Sequence, residues 1–284
     1  MNVEDVMAVV ISYNGRETTK RTILALVGQV GHVHVVDNGS EPDSIEILDS
    51  LEREYGISIQ RLGNNRGVGY ALNLGIAHAK AIGCTWLLTM DQDSIADCHM
   101  ISAFQAVAKL NTEAVSFSPR ISREASVNES ICVEIKSAIT SGNLVHIGVF
   151  DKIGAYDEGF FIDCIDFDFS LRLRRKGYKL FRIENAEMQH QLGDLTGLPK
   201  YVMKFYARHP PLRRYYMTRN YLYLAERHLF RFPVFIIKLG ILRVVLFVLI
   251  LFLDRAPLSS YCAVARGLYD YVARRQGPYR GATT

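Results

Sequence analysis

The sequence predicts an α/β fold: a mixed, mostly parallel sheet flanked by helices, followed by a basic, apolar helical region at the C-terminal end. Three observations predict it. Over the first 120 residues, short β-branched runs alternate with longer helical patterns, as in successive βα units. Polar clusters recur at the places where the strands should end. Charge is also divided: residues 1–199 carry 18 Lys+Arg against 26 Asp+Glu, and residues 200–284 carry 15 against 3. A chain of 284 residues, 49% hydrophobic and 22% charged, suits one large core with a smaller appended region. The expected division is 1–199 and 200–284.

Val6 to Tyr13 reads as the first strand, Arg16 to Val27 as a helix, and His32 to Asp37 as the second strand. A helix over Ser44 to Tyr55, a strand over Ile57 to Leu62, a helix over Gly67 to Ala81 and a strand over Thr85 to Asp91 complete four βα steps. Ile131 to Ile135 and Leu144 to Ile147 are further expected strands. Between Asp163 and Lys176 the apolar residues fit either period, and Gly177 after a basic last turn decides for helix. The polar clusters, Tyr13-Asn14, Asp37 to Ser40, Asn64-Asn65 and Asp91 to Asp93, all fall at strand ends, where open α/β sheets bind ligands.

Several classes are disfavoured. The five cysteines are odd in number and widely spaced without a CxxC pair, which argues against a disulfide framework or zinc knuckle and for a reducing compartment. Glu4 and Asp5 stand where a signal peptide carries basic residues, so an exported protein is not expected. No GxGxxG follows the first strand, which removes the main support for a dinucleotide cofactor.

Leu87 to Ser94 (LLTMDQDS) runs a strand into two carboxylates spaced i, i+2. Asp91 and Asp93 in that pattern suit a hard cation such as Mg²⁺ or Mn²⁺ shared with a diphosphate, and equally suit a solvated turn. Asp37, in HVHVVDNGS, suits acceptance of a pyrimidine N3–H, although Asn-Gly by itself makes a tight turn. The loop NNRGVG offers backbone N–H groups and Arg66 to a phosphate, or is a plain helix start. Asp163, Asp166 and Asp168 crowd into apolar sequence, as a general base requires; capping and an Asp168–Arg172 pair are the structural alternative. His190 suits a metal or a simple strand end.

None of these signals is specific alone, but their order is. SYN, DNGS, NxGxxxAxNxG, DQDS, FIDxxDxD and a lone His shortly before Gly193, over residues 6–195, resemble the family 2 inverting glycosyltransferases of GT-A fold. DQDS, FFIDCIDFDFSLRLRRKGY and RRYYMTRN look most like bacterial rhamnosyltransferases of cell-surface polysaccharide assembly. The resemblance implies that Ser12, Tyr13 and Asn14 line the nucleotide pocket and that Asp37 reads the pyrimidine. Asn65 and Gly67, with Asn73 behind them, shape its floor, and Arg66 reaches a phosphate. It further implies Asp91, Asp93 and His190 as metal ligands and Asp166 as base. Ile165 stands where the family usually has Glu, which leaves Asp163 as a competitor for acceptor binding or the base role. The implied reaction inverts the sugar; with dTDP-β-L-rhamnose as donor, the product linkage is α. The implied acceptor is lipid-linked or a growing polysaccharide.

A basic tail suits nucleic acid or an anionic membrane, and the apolar run Phe232 to Leu253 favours the membrane and argues against nucleic acid. Lys238 and Arg243 lie inside that run, each costing about 2.5 to 3.5 kcal/mol at a bilayer centre. The expectation is therefore an interfacial or homodimer-burying helix on the cytoplasmic face, with Arg213, Arg214, Arg219, Arg227 and Arg231 toward headgroups. A buried helix of a soluble subdomain is the alternative. Competing functions are transfer from UDP-galactose, UDP-galactofuranose or UDP-GlcNAc, a non-catalytic nucleotide-sugar-binding scaffold, and a nucleotidyltransferase, for which SYNGRETTK is a poor phosphate loop.

Overall fold

The computed structural model describes residues 1–110, 113–121, 132–190 and 208–281. They form two compact units. One holds Met1–Glu158 and Phe169–His190, and the other holds Gly159–Asp168 with the described chain after His190. The expected cut at 199/200 lies outside the described residues.

The first unit is the α/β layer structure. Its strands are β1 (Val6–Ser12), β2 (His32–Asp37), β3 (Ser58–Arg61), β4 (Trp86–Asp91), β5 (Ser94–Ala96), β6 (Ser116–Ile121), β7 (Cys132–Ile135), β8 (Asn143–His146) and β9 (Leu180–His190). The helices are α1 (Arg16–Leu26), α2 (Pro42–Tyr55), α3 (Val68–Ala81), α4 (Met100–Leu110), α5 (Val149–Ile153) and α6 (Ile165–Arg175), of which only Phe169–Arg175 belong to this unit. The strand order is β3-β2-β1-β4-β8-β6-β9-β5, with β7 also on β9. The four-strand block β3-β2-β1-β4 is wholly parallel; beyond it only β6–β9 is parallel, and four pairings are antiparallel.

All seven residues of β1 are buried, as expected for a strand covered on both faces, and this explains its unbroken apolar run. The core beneath it gathers Ile23, Leu26, Leu48, Leu88, Phe104 and Phe117 from strands and helices. Phe104 and Phe117 are fully buried with rings 6.3 Å apart, and truncating either to Ala would cost about 3 to 5 kcal/mol. The register sets the site: Ser12 is paired with Asp37 and Ile11 with Asp91, so the ends of β1, β2 and β4 lie level.

In the second unit, α7 (Pro211–His228), α8 (Pro233–Leu253) and α9 (Pro257–Val272) each start with a proline, whose missing N–H is not needed at the first helical position. The first turn of α6, through Asp168, belongs here. Helix α6 ends where expected: Gly177 takes φ +87°, and the Tyr178 N–H returns to the Leu173 carbonyl. Helix α8 is not the core helix of the alternative reading. It is 21 residues long, and of these only Ile236 and Ile250 are buried.

Candidate active site

Four loops at the carboxyl ends of the parallel strands hold one another. The Tyr13 N–H donates to Gln92 Oε1 at 2.7 Å, and Gln92 Nε2 donates back to the Tyr13 carbonyl at 3.1 Å, tying the end of β1 to the end of β4. The Asn14 N–H donates to Ser40 Oγ at 2.9 Å, and Asn14 Oδ1 accepts the Glu41 N–H at 2.8 Å, tying β1 to β2. Asn38 then reaches the next loop: its Oδ1 accepts the Arg66 N–H at 2.8 Å, and its Nδ2 donates to Asn65 Oδ1, which also accepts the Gly67 N–H. Gly39, at φ +87°, permits that approach, because a Cβ there would meet the Asn64 backbone at 2.7 Å. The Arg66 guanidinium lies 4.2 Å over the Tyr70 ring.

Asp37 is buried at the centre of this arrangement. One of its carboxylate oxygens accepts the Ser40 N–H at 3.2 Å; the other, Oδ1, has no hydrogen-bond partner among the described residues. A buried acceptor left open is costly and asks for a donor from a ligand. Ser12 is also buried, its hydroxyl 3.3 Å from that of Thr19, while Tyr13 is exposed. Asn73 brackets the segment before residue 159, bonded in both directions to Tyr156 and to Glu158. Gln92 and Asn38, which the sequence placed in the polar strand-end clusters without a role of their own, are the side chains that tie these loops together.

Asp91, Asp93 and His190 come together with ligand atoms within 4.8 Å of one another. Strand β5, three residues immediately after DQD, pairs with the last residues of β9 and places Ser94 opposite His190. Ser94 Oγ contacts His190 Nδ1 at 2.7 Å, Ser141 Oγ donates to Ser94 Oγ at 2.6 Å, and the Asp91 N–H donates to Ser141 Oγ at 3.0 Å. Two carboxylates and one imidazole held by such a hydroxyl relay fit a hard or borderline divalent cation.

The remaining candidates lie in the second unit. Asp166 is in the first turn of α6, and its Oδ1 accepts the Phe167 N–H at 2.8 Å. Asp163 is buried between Arg243 at 3.1 Å and Arg213 at 3.8 Å. Burial alone would raise its carboxyl, but the two guanidiniums outweigh that and hold it below the ordinary carboxylate range. Asp168 is buried against His228 Nε2 at 3.0 Å and Arg227 at 3.6 Å. The Arg172 guanidinium donates to the carbonyls of Ile153, Gly154 and Ala155. Two of the five arginines expected to face headgroups are buried instead: Arg214 pairs with Asp254 at 3.6 Å, and Arg219 donates to backbone carbonyls.

A parallel block with a level row of polar strand ends, an open buried carboxylate beside it and a DxD-plus-histidine cluster define a glycosyltransferase of GT-A fold. Residues 7–137 match the model "Glycosyl transferase family 2". The dTDP-rhamnosyl transferase RfbF of Shigella flexneri is 28% identical over 245 residues, 79% of this chain and 81% of that protein. Two solved structures share the fold. The Pyrobaculum calidifontis mannosyltransferase PcManGT, in complex with GDP-Man and Mn²⁺, has 14% identity and TM-score 0.56, covering 98% of this chain and 76% of that one. S. aureus TarS 1-349, in complex with UDP-GlcNAc, has 13% identity and TM-score 0.52, covering 95% and 73%.

Proposed function

We propose that the protein is a metal-dependent inverting rhamnosyltransferase, moving L-rhamnose from dTDP-β-L-rhamnose to a hydroxyl of a lipid-linked or polysaccharide acceptor with an α linkage. The observation that carries it is the pairing, in one unit, of the buried and open Asp37 Oδ1 with the Asp91/Asp93/His190 cluster. The first suits the N3–H of a pyrimidine base, and the second suits a divalent cation on a diphosphate. Thymine and uracil both carry that N3–H, so the likeness to the Shigella flexneri dTDP-rhamnosyl transferase is what favours rhamnose.

Each residue then has a chemical task. Asp37 accepts from the base, and the Ser12-Tyr13-Asn14 turn and the Asn65-Arg66-Gly67 loop enclose the nucleotide. Asp91, Asp93 and His190 would hold Mg²⁺ or Mn²⁺, which would supply Lewis acidity toward the leaving diphosphate. Asp166 takes the proton of the acceptor hydroxyl as its oxygen attacks the anomeric carbon from the face opposite the leaving group. The ion pairs of Asp163 support that assignment, because a carboxylate stabilised by two guanidiniums is a weak base. The exposed apolar face of α8, with Arg213, Arg227 and Arg231 nearby in sequence, supports a peripheral position on the anionic cytoplasmic face of the membrane.

Thermal shift with dTDP, dTDP-rhamnose, UDP and UDP-sugars, each with and without Mn²⁺, tests the donor half without an acceptor. A metal-dependent shift with the dTDP ligands alone is expected. A preference for UDP-GlcNAc, the ligand of the similar TarS structure, would replace rhamnose while keeping the reaction class.

A further inference from the structure

The six residues Gly159–Cys164 lead directly into α6 and the first turn that carries Asp166. Three of them, none a glycine, have left-handed backbones: Phe161 at φ 64°, Asp163 at 68° and Cys164 at 63°. Each such residue is strained and persists only where its surroundings over-determine it. Here the surroundings are two consecutive, fully buried residues of α7, Arg219 and Asn220.

Asn220 Nδ2 donates to the carbonyls of Phe160 at 2.8 Å, Ile162 at 2.6 Å and Asp163 at 3.2 Å. Arg219 Nη2 donates to the carbonyls of Gly159 at 3.2 Å and Phe160 at 3.3 Å. Arg219 Nε also donates to Asn220 Oδ1 at 3.0 Å, which fixes the amide with its donors toward the loop. The Arg219 guanidinium is itself held by Tyr215 Oη and the Gly277 carbonyl and lies within 5.2 Å of the Tyr215 and Tyr216 ring centres. Phe161 stacks on Tyr216 at 5.2 Å. The loop side chain Asp163 is tied to Arg243 of α8. The Cys164 carbonyl accepts the Asp168 N–H at 2.9 Å, so the strained residue Cys164 opens the first turn of the helix.

We infer that Asn220 and Arg219 are positioning residues for the transfer step: by holding Gly159–Cys164 in its left-handed conformation they fix where α6 begins and so where the Asp166 carboxylate projects. This rests on the assignment of Asp166 as base. Asn220 acts through the loop and not by contact with substrate or metal.

The sharper variant is Asn220→Asp, which keeps the shape and removes both donors; Asn220→Ser, which keeps one, serves if the first does not fold. In each, kcat with saturating donor and acceptor, the pH–rate profile, and the Kd for dTDP with Mn²⁺ are measured beside Asp166→Asn. The expected result is a fall in kcat of about 100-fold, as for a misplacement near 1 Å, a moved acidic limb, a smaller fall for Ser than for Asp, and a nucleotide Kd within twofold. Retention of kcat within threefold, or an equal loss of kcat and nucleotide affinity, overturns the inference. An active Asp166→Asn removes the base assignment and this inference with it. An inactive Asp166→Asn beside a fully active Asn220→Asp removes only the positioning role.

Discussion

Ser94 and His190, 96 residues apart in the chain, are cross-strand neighbours whose side chains meet at 2.7 Å. The contact converts a local motif into a site, because the strand that begins just after DQD is the one that brings the histidine to it. Ser141 continues the relay to the Asp91 backbone. Ser94→Ala should therefore weaken activation by Mn²⁺ by about 10- to 100-fold, the usual effect of removing a group that orients a ligand. Transfer should recover at high Mn²⁺, whereas Asp91→Asn should not recover. A Mn²⁺ titration of initial rates checks this; an unchanged midpoint in Ser94→Ala would separate the relay from the metal.

Asp163 and Asp166 should fail differently. Asp166→Asn is expected to abolish transfer with its melting temperature intact. Asp163→Asn leaves the Arg243 guanidinium buried without its carboxylate, a change that typically costs about 3 to 5 kcal/mol. Replacing both members, Asp163→Leu with Arg243→Met, should regain much of that loss. Denaturant melts of the three variants decide it, and a wild-type midpoint for Asp163→Asn would contradict the ion pair's importance.

Most of the parallel block is legible in the sequence, since buried β-branched runs separated by amphipathic helices admit few other folds. The antiparallel half is less so. Strand β5 is three residues long and follows a turn motif, and β9 reads LFRIENAEMQH, with no clean alternation because it pairs on more than one side. The motif residues Asp91, Asp93 and His190 are visible by type, but their convergence depends on that unreadable pairing. Asp168 shows the same limit: its partners His228 and Arg227 are about sixty residues away, while the i,i+4 neighbour Arg172 is the one the pattern suggests.

Asp37→Asn replaces an open acceptor by an amide whose donors have no partner there. A hydrogen bond to a charged group contributes about 1.5 to 3 kcal/mol, so the nucleotide Kd should rise roughly 10- to 100-fold. The effect should be equal for dTDP and dTDP-rhamnose, as only the base is read. Isothermal titration measures both; unchanged affinity would move the base elsewhere.

His34 gives the first unit an acid limit. It is buried, stacked 4.0 Å on His78 with its Nδ1 2.7 Å from Ser58 Oγ, and burial followed by the nearby His78 lowers its pKa to about 4. The unfolded chain binds that proton near pH 6.5, so stability is full above 6.5 and falls as pH drops toward 4. The loss at pH 5 is on the order of 1 to 2 kcal/mol. His34→Gln should flatten the dependence of the melting temperature between pH 7 and 5, and an unaltered slope would assign it to other groups.

The outward apolar residues of α8 can be removed without touching the core. Ile241→Glu with Phe252→Glu changes two residues 60% and 72% exposed. Co-sedimentation with anionic vesicles should be lost while transfer to a soluble acceptor persists; undiminished sedimentation would move membrane contact to the basic residues alone.

The grouping of Gly159–Asp168 with the C-terminal helices bears on how such enzymes diverge. Asp37 and the Asp91/Asp93/His190 cluster fall in one compact unit, and the proposed proton acceptor, with the asparagine and arginine that brace its loop, falls in the other. Recombination just before Gln191 would part Asp166 from Asn220, so a hybrid joining two relatives there would inherit a mismatched brace. A hybrid that moves 159–168 together with the C-terminal portion keeps the brace whole, and should be the kind that changes acceptor while retaining donor.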